Sequence, residues 1–194
     1  MNSIIEYPKE VLLPEKFYEA CVTYNIINFF DEKRAEKVFP FSVSPVQEKT
    51  EGYDFAYEIK NKFFMLQFKR PYKKMNGYSW KINIDQLNVI VRNEYGSVVY
   101  YALPQFEDYK LWYQALNYEN MKFIDATSLQ KYIVGTGKKS INSSYEKLKN
   151  WDQVVYELFG MNCYNSIVHI EDLNYQEQLI TLLKLEGMVG YEVE

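Results

Sequence analysis

Residues 52–69 read GYDFAYEIKNKFFMLQFK. Two apolar runs, 53–59 and 63–69, are rich in aromatic residues and are separated by Lys-Asn-Lys, the pattern of two paired strands. Side chains alternate along a strand, so Gln67 and Lys69 share one face while Phe64, Leu66 and Phe68 share the other. Asp54, Ala56 and Glu58 likewise share a face, and register decides whether the two polar sets meet. A two-residue loop at Lys60-Asn61 sets Asp54 opposite Gln67. One at Asn61-Lys62 sets it opposite Lys69, and a three-residue loop sends the carboxylate to the other side. Two-residue loops are favoured in hairpins and Asn tolerates the positive φ they need. The expectation is a carboxylate beside a Gln/Lys pair.

That grouping has a chemical use. Asp54, the side-chain oxygen of Gln67 and a nearby backbone carbonyl such as that of Phe68 form a workable, weakly charged set for Mg²⁺ or Mn²⁺, which prefer hard oxygen ligands. Lys69 would stand close to a phosphate and to water. There it could position or help deprotonate the water and offset charge developing in a transition state.

Working outward, residues 14–30 carry helical spacing, with Pro14 and Glu15 at the start and Phe17, Cys21 and Tyr24 in register. Residues 38–43 alternate weakly and include Pro40, which suits an edge or irregular strand. Residues 45–52 read as a polar loop. Residues 72–80 read as a basic, aromatic loop around the turn pair Asn76-Gly77. A short amphipathic helix is predicted over 83–94, with Ile84, Leu87, Ile90 and Val91 inward. SVVYYAL at 97–103 is the clearest buried strand. Beyond it, helices are predicted over 106–117, 128–134, 145–159 and 171–185, a strand over 122–126, and a loop over 135–144. The order up to residue 103 is helix, three strands, helix, strand.

The 194-residue chain is 47% hydrophobic, with 19 Tyr and 12 Phe, enough for a substantial core. Its formal net charge of −4 excludes a broadly basic, nucleic-acid-coating protein, so any phosphate-binding surface must be a local patch. The candidate patch comprises Lys60, Lys62, Lys69, Arg70, Lys73, Lys74 and Lys81; the ordinary explanation of such a run is a solvated face. Uncharged runs are too short to cross a bilayer and the N-terminus lacks the marks of a signal peptide. Cys21 and Cys163 are far apart and read as buried free thiols of a reducing compartment, so a cytoplasmic protein is expected. His169 is the single histidine, which disfavours His-based triads and His-rich zinc sites.

The Gly52-Tyr53-Asp54 and Gln67-Phe68-Lys69 segments, in this order of elements, resemble the PD-(D/E)XK nuclease superfamily, in the Gln-x-Lys variant similar to the Mrr-type branch. Tyr53 stands where the naming proline would, and Gln67 where a second acid is usual. The resemblance covers about residues 14–103. It implies an α/β, restriction-endonuclease-like αβββαβ core with a central mixed sheet flanked by helices, followed by a mainly helical C-terminal extension. A division into a core at 1–126 and an extension at 127–194 packed on it is expected. It also implies a Mg²⁺-dependent (or Mn²⁺-dependent) hydrolase of phosphodiester bonds in nucleic acid, DNA rather than RNA. Asp54, Gln67 and Lys69 would act in catalysis, with the first two on the metal. Glu19, or second to it Glu15, would be the acid the family often carries on its first helix. Arg70, Lys73, Lys74, Lys81 and the helix residue Gln86 would contact nucleic acid. Defence, mobile-element processing and repair all suit such an enzyme, and by analogy so does a homodimer cutting both strands.

Each residue also has an ordinary reading. Asp54 could be a strand-start acid satisfied by backbone amides, Lys69 could snorkel at a strand end, and Glu19 could face solvent. Gln67 is harder to dismiss, because a polar side chain inside FFMLQFK needs a partner. The alternative function is an inactive nuclease-like fold serving as a nucleic-acid- or protein-binding module, for instance in a toxin or phage system.

Overall fold

The computed structural model describes residues 13–59, 62–93 and 96–160. Helix α1 spans Glu15–Arg34, preceded by Pro14 in extended conformation and closed by Ala35 in the left-handed region at φ 51°. Strand β1 (Phe39–Ser42), helix α2 (Pro45–Glu51), strand β2 (Phe55–Ile59) and strand β3 (Lys62–Phe68) follow. The short strands β4 (Tyr72–Lys74) and β5 (Gly77–Lys81) precede helix α3 (Ile84–Arg92) and strand β6 (Val99–Pro104). A 3-10 turn (Tyr109–Gln114) then leads to β7 (Met121–Asp125), α4 (Ala126–Thr136), β8 (Ser140–Asn142) and α5 (Trp151–Phe159).

The central sheet has the order β1-β2-β3-β6-β7, in which only the β3–β6 pair is parallel. Both faces are covered, so β6 is buried along its whole length, as a run without alternation requires. Tyr18, Ile26 and Phe30 of α1 and Trp151 and Val155 of α5 pack with Phe64, Leu66 and Phe68 on one face. Leu87 and Ile90 of α3 and Leu129 and Ile133 of α4 pack with Val99, Tyr101 and Leu103 on the other. The αβββαβ core of a restriction-endonuclease-like fold is therefore present, with α2 and the β4–β5 hairpin set into it.

The hairpin register is the first of the two anticipated. Ile59 pairs with Lys62 and Phe55 with Leu66, and the Asp54 N–H continues the ladder to the Leu66 carbonyl at 3.0 Å. Asp54 thus stands opposite Gln67.

Several segments depart from the sequence reading. Within residues 45–52, Pro45–Glu51 form helix α2 rather than a loop. Its seven residues bury no apolar stripe (Val46 is exposed), so no period betrays it. Residues 72–80 fold as the β4–β5 hairpin, and residues 135–144 contribute β8, which pairs with β5 into a second, three-stranded sheet. β4 and β8 have three residues each, too few to display alternation. The segment 106–117 supplies a 3-10 turn capped by Asp108 rather than a helix. Helix α5 begins only at Trp151, where Asn150 and Gln153 form a reciprocal cap. The helix predicted over 171–185 lies outside the described residues, as do Cys163 and His169.

Candidate active site

The site lies where β3 ends and β2 begins. Asp54 is buried, and its Oδ2 accepts two hydrogen bonds, from the Phe68 N–H at 2.7 Å and from Gln67 Nε2 at 2.8 Å. Gln67 has no exposed surface; its Nε2 also donates to the Phe68 carbonyl at 3.1 Å, and its Oε1 accepts from Gln86 Nε2 at 2.8 Å. Gln67 therefore meets the demand for a partner in full. In this arrangement its amide nitrogen, not its oxygen, faces Asp54, and ligation through the oxygen requires the amide to turn half a revolution. Gln86, expected among nucleic-acid contacts, holds the Gln67 amide. It can do so because Asn83 caps α3, accepting from the Asp85 and Gln86 N–H groups and fixing where the helix starts.

Helix α1 brings the negative charge that Gln67 lacks. Glu15 and Glu19 are four residues apart and so share a helix face. One carboxylate oxygen from each, together with one from Asp54, lies within 4.8 Å of the others. Glu15 Oε2 also accepts the Arg70 N–H at 3.0 Å, and Glu19 is bridged at 2.7 Å by the exposed Lys16. Burial pushes the Asp54 carboxyl up from 3.8 to about 7, against the opposing pull of the Phe68 N–H and the Lys69 charge. The charges of Glu19 and Glu48 raise it further. Burial raises Glu15 as well, while Lys69 and the Arg70 N–H pull it down. Three converging, desolvated carboxylates form a donor set that suits a hard divalent cation such as Mg²⁺ or Mn²⁺.

Lys69 completes the cluster. Its N–H is tied to the Ala102 carbonyl of β6 at 3.2 Å, and its ammonium lies 5.9 Å from the centre of the Tyr101 ring. The Tyr101 hydroxyl is buried and unpartnered. Lys73, Lys74 and Lys81 are exposed on the β4–β5 hairpin, and Arg70 stands two residues before it, ahead of Pro71.

The sequence pairing of Asp54 with Gln67 and Lys69 thus reappears in space. Glu15 joins Glu19, a grouping that their four-residue spacing already permits. Nothing in the sequence singles out Glu48 or Tyr101. Glu48 lies in a segment that reads as a loop, and Tyr101 resembles any residue of a buried strand. Cys21 is buried, with its thiol pushed up to about 12, and so is chemically quiet. A separate cavity of about 540 Å³ at the other end of β3 and β6 is lined by Lys62, Tyr100, Asp125 and Glu157 among others. Two of its acids are already engaged: Lys149 bridges Asp125 and Glu157 at 3.2 and 2.7 Å. Among the described residues no helix is long and apolar enough to cross a membrane.

No protein-family model matches the chain, and no curated protein matches it. A solved structure described as a nuclease from a fusselovirus is similar in fold, with a TM-score of 0.51 at 15% identity. The match covers 81% of this chain and 99% of that one.

Proposed function

We propose that this chain is a metal-dependent nuclease hydrolysing phosphodiester bonds. DNA is taken over RNA as substrate on the resemblance to restriction-endonuclease-like enzymes. The observation that carries the reading is the convergence of Glu15, Glu19 and Asp54 within 4.8 Å, beside the ammonium of Lys69. The fold likeness to a viral nuclease supports it.

Glu15, Glu19 and Asp54 would hold Mg²⁺ or Mn²⁺, while Gln67, whose amide nitrogen faces Asp54, would position that carboxylate. When bound, the ion supplies Lewis-acid polarisation of the phosphoryl group and a more acidic water. Asp54 is kept in place by Gln67 and Phe68, and Gln67 by Gln86, so the carboxylate needs no rearrangement to act. Lys69 orients the attacking water and stabilises the charge that gathers on the phosphoryl oxygens. Placed beside the buried Asp54, its charge acts from a fixed position at no cost of reorganisation. Arg70, Lys73, Lys74 and Lys81 contact the phosphate backbone.

Incubation with plasmid, single-stranded DNA and RNA, in Mg²⁺, Mn²⁺ or EDTA, tests the reading. Cleavage is expected only with metal. It should fall by about 10²–10³-fold in Lys69→Ala, the usual cost of losing one transition-state charge contact. Cleavage surviving in EDTA, or undiminished in Lys69→Ala, would refute it.

One observation favours a second reading, a non-catalytic binding module. Asp54 Oδ2 already accepts two N–H groups, and the usual second acid is an amide. Binding without cleavage, unaffected by Asp54→Ala, is its signature.

A further inference from the structure

Beside the acidic cluster the chain carries a second, oppositely charged construction. Tyr72 stands on β4, and two cations lie against its ring. The Arg70 guanidinium carbon is 5.2 Å from the ring centre and the Lys81 ammonium 5.0 Å. Arg70 Nη2 also reaches the Tyr72 hydroxyl at 3.5 Å. The strand pairing explains the grouping. Tyr72 pairs with Ser79, and the same register carried outward sets Arg70 opposite Lys81.

Like charges repel, yet among the described residues neither Arg70 nor Lys81 has a carboxylate within salt-bridge distance. The ring's negative face offsets part of that repulsion. What remains is a cluster of positive charge with one aromatic ring as its floor. Lys74, on the same face of β4 as Tyr72, extends it, and β8 lies alongside. The Ile82 N–H donates to the Lys139 carbonyl, which brings the exposed Lys138 and Lys139 alongside. An overall net charge of −4 makes such a concentration of unpaired cations on one small sheet a local device.

Its position ties it to the site. Arg70 follows Lys69 directly, and its own N–H holds Glu15. The Cα atoms of Lys69 and Arg70 are therefore about 3.8 Å apart. One side chain turns to the acids and the next to Tyr72.

We propose that Arg70, Tyr72 and Lys81 form a preassembled seat for a backbone phosphate of the nucleic acid, adjoining the scissile one, and that the three-stranded sheet grips the strand there. This rests on the nuclease reading for its choice of polyanion, and it adds a role for Tyr72. Arg presents a planar fork to phosphate oxygens and Lys a point charge, so the pair can hold one tetrahedral anion from two sides.

The test is binding of a fluorescent duplex and of the matching single strand, in EDTA so that nothing is cut, across a range of salt concentrations. Inorganic phosphate serves as competitor. Arg70→Ala and Lys81→Ala are each expected to weaken binding about 5–10-fold and to lower the salt slope by about one. Tyr72→Leu, which keeps both charges but removes the floor, should weaken binding about 3–10-fold with the slope little changed, while Tyr72→Phe should stay near wild type. Phosphate should compete only at millimolar levels, since a single anion forgoes the neighbouring contacts. If Lys81→Ala and Arg70→Ala weaken binding no more than the exposed control Lys37→Ala, which lies beyond the far end of the 20-residue α1, the seat is wrong. Loss of binding in Lys81→Ala without cleavage by wild type under any metal keeps the seat and removes the nuclease. Metal-dependent cleavage with unchanged affinity in Lys81→Ala does the reverse.

Discussion

Asp54 carries two opposed demands, and their balance is measurable. Its carboxyl sits at about 7 in the folded chain because burial penalises the anion. The folded protein therefore binds that proton more tightly than the unfolded chain, whose value is near 3.8. The resulting stability is fully present below about pH 4 and is lost as pH rises through 7. We expect the metal-free protein to lose a few kcal/mol from this group across that window, since a tenfold change in proton affinity is worth about 1.36 kcal/mol. Thermal melts of wild type against Asp54→Asn isolate the effect: the difference between them should change from pH 4 to 7, and a constant difference would sink it. Tyr101 gives a second residue-scale prediction. Its hydroxyl is buried without a partner, so Tyr101→Phe should raise metal-free stability by about 1 kcal/mol in denaturant titrations while keeping the ring beneath Lys69. Destabilisation would mean that the hydroxyl is satisfied after all.

Among the elements, α2 and its terminator depend on a close approach. Gly52 has φ +86°, and a Cβ there would lie 2.5 Å from Ile90 Cγ1 of α3. Gly52→Ala combines left-handed strain with overpacking and should cost about 2–4 kcal/mol in chemical denaturation. A cost near zero would mean that α2 shifts freely against α3. Helix α3 and strands β2, β3 and β6 are legible in the sequence because each carries an amphipathic period or a run of buried apolar residues. Helix α2, the β4–β5 hairpin and β8 are not. They are short and depend on partners distant in sequence: Gly52 on Ile90, and β5 on β8, which pairs Ser79 with Asn142. The Asp54–Gln67 pairing is legible because hairpin register is a local matter. The entry of Glu15 is harder to see, since it depends on where α1 docks against the sheet, which no local pattern encodes.

For the molecule as a whole, the fold likeness extends over most of the chain at an identity too low for residues to be carried across. Architecture persists because a mixed sheet covered on both faces asks only for apolar residues of suitable size, whereas a site asks for particular atoms. The sheet's two borders are finished differently. Beyond β7, the Phe123 and Lys149 main chains exchange both of their hydrogen bonds at 2.8 Å. On the other border β1 is exposed throughout, with Phe39 and Phe41 half in water and Pro40 between them. Pro40 offers no N–H, so a strand arriving from another molecule finds the ladder interrupted midway. The protein can thus leave two aromatic rings at its margin without inviting fibrous stacking, and replacing that one imino acid would remove the safeguard.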